Sequence, residues 1–190
     1  GFMGIQDNFC LFSNGNLYTW GYNNWGECGT GDTSIRWIPT LVATNVTNAY
    51  GSWRFAYSNA SKFIIKKSDG YLYATGYNGY GQLGVGDTSN RSSFTQITSL
   101  GNSILNVWNM GTDYGALFVQ KTDYTILACG YNGYGQLGTG NYDMYYSPGT
   151  ATVGGAKKVF MGEYSSIILK NDGTVYVTGY DNWGQMGIGI

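Results

Sequence analysis

An eleven-residue segment recurs four times in this chain, as GYNNWGECGTG (21–31), GYNGYGQLGVG (76–86), GYNGYGQLGTG (130–140) and GYDNWGQMGIG (179–189). Its starts lie 55, 54 and 49 residues apart. Periods of that length belong to solenoids and propellers, in which one supersecondary unit cannot bury its apolar face alone and gains a core only from stacked neighbours. The chain therefore reads as an array over residues 1–190.

The pieces between the copies match as well. A short β signal precedes each copy: Leu17 to Trp20, Leu72 to Thr75, Ile126 to Cys129 and Val175 to Thr178. Upstream of each, across a turn, lies a second apolar run, at Phe9 to Phe12, Phe63 to Ile65, Leu117 to Val119 and Ile167 to Leu169. Continuous rather than alternating hydrophobicity predicts strands covered on both faces. Asn14-Gly15, Asp69-Gly70 and Asp172-Gly173 predict two-residue hairpin turns, because those residue types tolerate the positive φ such turns require. Thr122-Asp123-Tyr124 puts a bulky residue where the others have glycine, and a longer or irregular turn is expected there.

After the first three copies, linkers of seven residues (32–38, 87–93, 141–147) lead to a further strand at Pro39 to Val42, Phe94 to Ile97 and from Pro148. A fixed length with changing sequence is the mark of loops on one face of an array. Runs at Trp53 to Tyr57, Val107 to Met110 and Val159 to Met161 supply the remaining strand, and Phe2-Met3-Gly4 matches the last of these. The expected unit is a four-stranded antiparallel sheet, with no 3.6-residue period to suggest helices. Within the motif, Cys28, Leu83, Leu137 and Met186 share one apolar position, read as a plug under the loop. Glu27, Gln82, Gln136 and Gln185 stand beside it to bond loop backbone, while Asn78 is read as forming an Asx turn or a left-handed bend.

VYVTGYDNWGQMGIG and LYATGYNGYGQLGVGD resemble the regulator of chromosome condensation repeat. The resemblance covers essentially the whole chain and implies an all-β fold of propeller blades, here about three and a half of a ring of seven. Pro39 and Pro148 stand where that family has a proline. The chain departs from the family pattern in having no His, and only Trp20 matches the Trp that often precedes the strand-ending glycine. The family's nucleotide-exchange activity on a small GTPase is what the resemblance implies as an alternative function. Since the chain begins at Gly1 and stops inside a motif, it is expected to belong to a longer polypeptide or an assembly, with remaining blades from the same chain or another copy.

Charge and composition narrow the function further. Ten basic and eleven acidic residues, scattered singly, give a formal charge of -1 and no electrostatic footprint for nucleic acid. No apolar run is long enough for a bilayer span. Without histidine there is no His-dependent triad, and three cysteines at dissimilar places, Cys10, Cys28 and Cys129, read as buried hydrophobes rather than disulfides or metal ligands. GxGxxG at 79–84 and 133–138 is not a dinucleotide fingerprint, because no helix follows to hold a pyrophosphate. No cofactor and no catalytic residue is expected. The triplets at Asn45, Asn59 and Asn90 fit a glycosylation acceptor pattern, which an Asn-rich chain also produces by chance.

Aromatic residues are 17% of the chain, and those in the linkers are the functional lead. Arg36, Trp37, Arg91, Tyr142, Tyr145 and Tyr146 are expected on one face as a partner-binding surface, since Tyr, Trp and Arg anchor protein interfaces. The motif tyrosines are read as blade packing. The expected function is a non-enzymatic recognition module binding a protein partner or a surface glycan, placed on an extracellular or virion surface, as in a phage fibre.

Overall fold

A computed structural model describes residues 2–6, 8–51, 61–110, 112 and 114–189. Fifteen strands in these residues form four antiparallel sheets taken in chain order. The first holds β1 (Phe2–Gln6), β2 (Phe9–Phe12), β3 (Leu17–Gly21) and β4 (Arg36–Ala43). The second holds β5 (Val46–Gly51), β6 (Lys62–Lys67), β7 (Leu72–Gly76) and β8 (Arg91–Gln96). In the third are β9 (Ile104–Asn109), β10 (Leu117–Lys121), β11 (Ile126–Gly130) and β12 (Tyr145–Thr150). The fourth has three strands, β13 (Ala156–Met161), β14 (Ser165–Lys170) and β15 (Val175–Gly179). The one helical element among the described residues is a 3₁₀ turn at Thr98–Leu100. The protein is an all-β assembly of propeller blades.

The apolar clusters lie between blades. Phe9, Leu11 and Leu17 of the first pack on Val46, Phe63 and Ile65 of the second. Ile64, Leu72 and Leu83 of the second meet Ile104, Leu117 and Val119 of the third, and Phe118, Ile126 and Leu137 of the third meet Val159 and Ile168 of the fourth. The continuous apolar runs thus do what two-sided burial demands: Ile64 faces one joint while Phe63 and Ile65 face the other.

Several local expectations are corrected. The hairpins close with three-residue loops, not two: Gly15 N–H donates to Phe12 O and Phe12 N–H to Asn16 O, with the same pair at Lys67 and Lys170. Only the glycine takes positive φ, +83° at Gly15, +85° at Gly70 and +87° at Gly173, the three-residue loop with a bulge. The Asn or Asp before it instead accepts the N–H two residues on, as in Asp69 Oδ1 with Tyr71 N at 3.0 Å. The 122–124 turn is regular: Tyr124 adopts φ +66° and reproduces the glycine's bonds.

The fourth strand of each of the first three sheets begins earlier than expected, because Gly21, Gly76 and Gly130 pair with Arg36, Arg91 and Tyr145 inside the linkers. In the second blade the first strand is Val46–Gly51; the run at Trp53 to Tyr57 lies outside the described residues, as does Asn59. The first sheet is complete, with β1 as its opening strand. The strands are arranged as three full sheets plus a three-stranded one.

Candidate functional site

Each motif loop is built on a buried Asn. Asn78 is fully buried; its Oδ1 accepts Leu83 N–H at 2.9 Å, and its Nδ2 donates to Asp87 O at 2.9 Å and Ser89 O at 3.0 Å. Asn23 and Asn132 repeat the arrangement on Cys28 and Leu137 and on the linkers that follow. Asp181 keeps the first half of it, accepting Met186 N–H at 2.7 Å. This brace replaces the local bend expected of the motif Asn, and one side chain thereby fixes both plug and linker. The neighbouring acceptors bond loop backbone as their position suggested: Gln82 Oε1 with Tyr80 N, Gln136 with Tyr134 N, Gln185 with Trp183 N and Glu27 with Trp25 N.

The loop then docks on the fourth strand of the next blade. Gly31 N–H donates to Ser92 O at 2.7 Å and Gly86 N–H to Tyr146 O at 2.9 Å. A Cβ on Gly26 would stand 2.4 Å from Ser92 Cα, and one on Gly81 2.6 Å from Tyr146 Cα, so glycine is required at the contact. Thr75 and Thr178 add hydroxyl bonds to Gly26 O and Gly135 O of the preceding loops.

The six linker residues divide on this frame. Arg36 pairs with Asp32 and Arg91 with Asp87, each at 2.6 Å. In the third blade the equivalent Tyr145 hydroxyl accepts from Asn141 Nδ2 at 3.1 Å, and its ring packs into two of the apolar clusters. These three residues hold the linkers. Hydrogen bonds from the guanidiniums, seconded by the Ser34 and Ser89 amides, keep the Asp32 and Asp87 carboxyls below the usual carboxylate range. Trp37, Tyr142 and Tyr146 are exposed. All six stand where a third strand hands over to a fourth, but they do not form one cluster: Trp37 belongs to the first blade, while Tyr142 and Tyr146 flank Tyr145 in the third.

Two features escaped the sequence. Motif tyrosines form a ring-to-ring belt across blades, Tyr80 on Tyr131 with centroids 5.2 Å apart and Tyr134 on Tyr180 at 5.0 Å, joined by Tyr114 and Tyr164 from the loops before β10 and β14. Burial pushes the Tyr131 and Tyr164 hydroxyls above their ordinary range. The motif spacing pointed to the first set; nothing marked Tyr114 and Tyr164, which lie outside the motif. The second feature is Lys62, 3% exposed, whose Nζ reaches into the third blade to donate to Met110 O, Gly115 O and Ala116 O. Burial pulls its pKa down to about 7, with Cys129 nearby acting in the opposite direction. No helix among the described residues is long and apolar enough to cross a membrane.

The Regulator of chromosome condensation (RCC1) repeat profile matches residues 14–56 and 69–108. Among curated proteins, the chain is 30% identical over 151 residues to the X-linked retinitis pigmentosa GTPase regulator of Canis lupus familiaris, covering 80% of this chain and 15% of that protein. It is 28% identical to the Ultraviolet-B receptor UVR8 of Arabidopsis thaliana, covering 73% of this chain and 30% of the receptor. It is 29% identical to the Probable E3 ubiquitin-protein ligase HERC4 of Homo sapiens, over 77% of this chain and 14% of that protein. Of solved structures, human WBSCR16 superposes with a TM-score of 0.72 at 22% identity, over 97% of this chain and 48% of that one. Prp20p from Saccharomyces cerevisiae superposes with the same score at 20% identity, over 93% of this chain and 42% of that one, in a study of its binding to Gsp1p and histones.

Proposed function

Because this chain carries regulator of chromosome condensation repeats, we propose that it is a non-enzymatic recognition module that holds a protein partner against its linker face. The observation that carries the reading is the third blade's linker. Tyr142 and Tyr146 are exposed on backbone that the Asn132 brace and the Asn141–Tyr145 bond hold in place, so aromatic anchors are offered at low ordering cost. Arg91, fixed by Asp87, presents a polar group at the equivalent linker of the second blade, and Arg36 with Asp32 repeats it in the first blade. Tyr145 supports these residues from beneath. The Tyr-, Asn- and Gly-rich composition favours an extracellular or virion surface over the nucleus.

The relatives' names favour one second reading, regulation of a small GTPase. A panel of immobilised small GTPases, histones and glycans separates the classes. A protein ligand retained by the wild type and lost on Tyr142→Ala, at unchanged melting temperature, is the expected result. Accelerated release of labelled GDP from a retained GTPase would establish exchange. Retention that ignores this substitution, or binding confined to glycans, overturns the proposal.

A further inference from the structure

The tyrosine belt brings together phenol rings that the linker face does not use. Tyr80 lies in the motif loop of the second blade and Tyr114 in the loop before β10 of the third, so their contact crosses a joint. Their ring centroids stand 5.1 Å apart and the ring planes incline by only 32°. Other tyrosine contacts of the belt are steeper, 45° for Tyr114 on Tyr164, 71° for Tyr80 on Tyr131 and 76° for Tyr134 on Tyr164.

Both rings are carried on backbone that is held in place. Tyr80 N–H donates to Gln82 Oε1 at 2.9 Å, in a loop fixed by the Asn78 brace. The loop carrying Tyr114 is pinned by Lys62 of the second blade, whose Nζ donates to Met110 O before it and to Gly115 O after it. Both rings are half-buried, and Tyr134, 38% exposed, links them to the surface through Tyr131.

This geometry suits one reaction of tyrosine. A phenol that gives up an electron and a proton becomes a phenoxyl radical, whose unpaired electron lies in the π system and partly on the ortho carbons. Two such radicals bond most readily where their ring faces meet, because the orbitals that overlap stand perpendicular to the ring planes. An edge-to-face pair aims a C–H of one ring at the face of the other and lacks that overlap. Touching rings can also exchange the radical, so oxidation at the exposed Tyr134 is passed inward along the belt.

We propose that Tyr80 and Tyr114 form an oxidative cross-linking site, at which hydrogen peroxide activated by a haem peroxidase joins the two rings by a dityrosine bond across the joint. Each phenol loses one electron and one proton, and one bond forms between an ortho carbon of each ring. The hydrogen on each of those carbons then moves to its own phenol oxygen as the rings regain aromaticity. The peroxide O–O bond breaks, and the two electrons and two protons reduce it to two molecules of water.

Treatment of the 190-residue chain with a haem peroxidase and hydrogen peroxide at low protein concentration, followed by tryptic digestion and mass spectrometry, tests this. Trypsin cuts after Lys67, Arg91 and Lys121, and Tyr114 is the only tyrosine of the 92–121 peptide. The expected product is a single chain with dityrosine fluorescence, in which peptides 68–91 and 92–121 are joined with the loss of two hydrogen atoms. Tyr80→Phe and Tyr114→Phe keep the ring and remove the phenol, so each should abolish the joined pair and leave the circular dichroism spectrum unchanged. Oxidation that yields no joined pair, a joined pair that survives Tyr80→Phe, or cross-links found only between separate chains, as exposed Tyr124 and Tyr142 would give, would each overturn the proposal.

Discussion

Tyr124 carries a cost that its counterparts avoid. Left-handed backbone puts Cβ against the following carbonyl, about 1–2 kcal/mol for a residue other than glycine. Tyr124 is 55% exposed, so little packing offsets this, and Tyr124→Gly should raise stability by about 1 kcal/mol in urea titration. Two kinds of ionisable residue make stability rise with pH, each over its own range. The turn and linker carboxyls Asp32, Asp69, Asp87, Asp123 and Asp172 are all held below their ordinary pKa by hydrogen bonds, first from Arg36 for Asp32 and Arg91 for Asp87. Their contribution is present above the unfolded-state carboxylate pKa and is lost as pH falls through the lowered values, so acid should shift the urea midpoint downward. Lys62 acts in the same direction at higher pH. Between about 7 and its ordinary 10.5, the unfolded chain binds a proton at this lysine that the folded chain has released. Stability should therefore rise from pH 7 to pH 9, and Lys62→Met should flatten that slope while lowering stability overall, since three carbonyls lose a donor.

At the scale of the motif loop, two demands on glycine can be separated. Gly81 and Gly184 have similar φ, +77° and +69°, but only Gly81 faces the backbone of a following blade. Alanine at either should cost the conformational penalty, about 1 kcal/mol, and Gly81→Ala should cost more by whatever the displaced joint is worth; thermal melts of the pair measure it. Leu83→Ala, which empties a fully buried plug, should cost about 2–5 kcal/mol. Strand positions and the plug were legible because each was written four times, and a repeat averages out local ambiguity. The turn type was not, because a glycine after Asn or Asp satisfies a two-residue loop and a three-residue loop with a bulge equally well. Nor was the brace: Asn at a bend has a sufficient local explanation, and only the fold brings Ser89 O within reach of Asn78 Nδ2. The ion pairs of Arg36 and Arg91 were not legible either, because pairing with a residue four positions back has no signature in a strand-and-loop sequence.

In the molecule as a whole, the apolar clusters sit in the joints, so stability should grow with the number of joints rather than with any one blade. Circular dichroism with infrared should give a helix content well below one fifth, as expected for a chain whose described helix is a single 3₁₀ turn. The buried braces also govern how the protein ages. Asn followed by Gly is the sequence most prone to lose its side-chain amide, through attack by the next backbone nitrogen, and it occurs at Asn14, Asn78 and Asn132. Asn78 and Asn132 have their amide groups held on both sides and shut away from water, so they cannot turn into the reactive pose. Asn14 is exposed, with an Oδ1 bond to Asn16 N–H in its turn. On long storage, conversion to aspartate and isoaspartate should accumulate at Asn14 first, and the two motif sites should become vulnerable only once the blades part, which makes their deamidation a slow chemical record of how often the molecule opens.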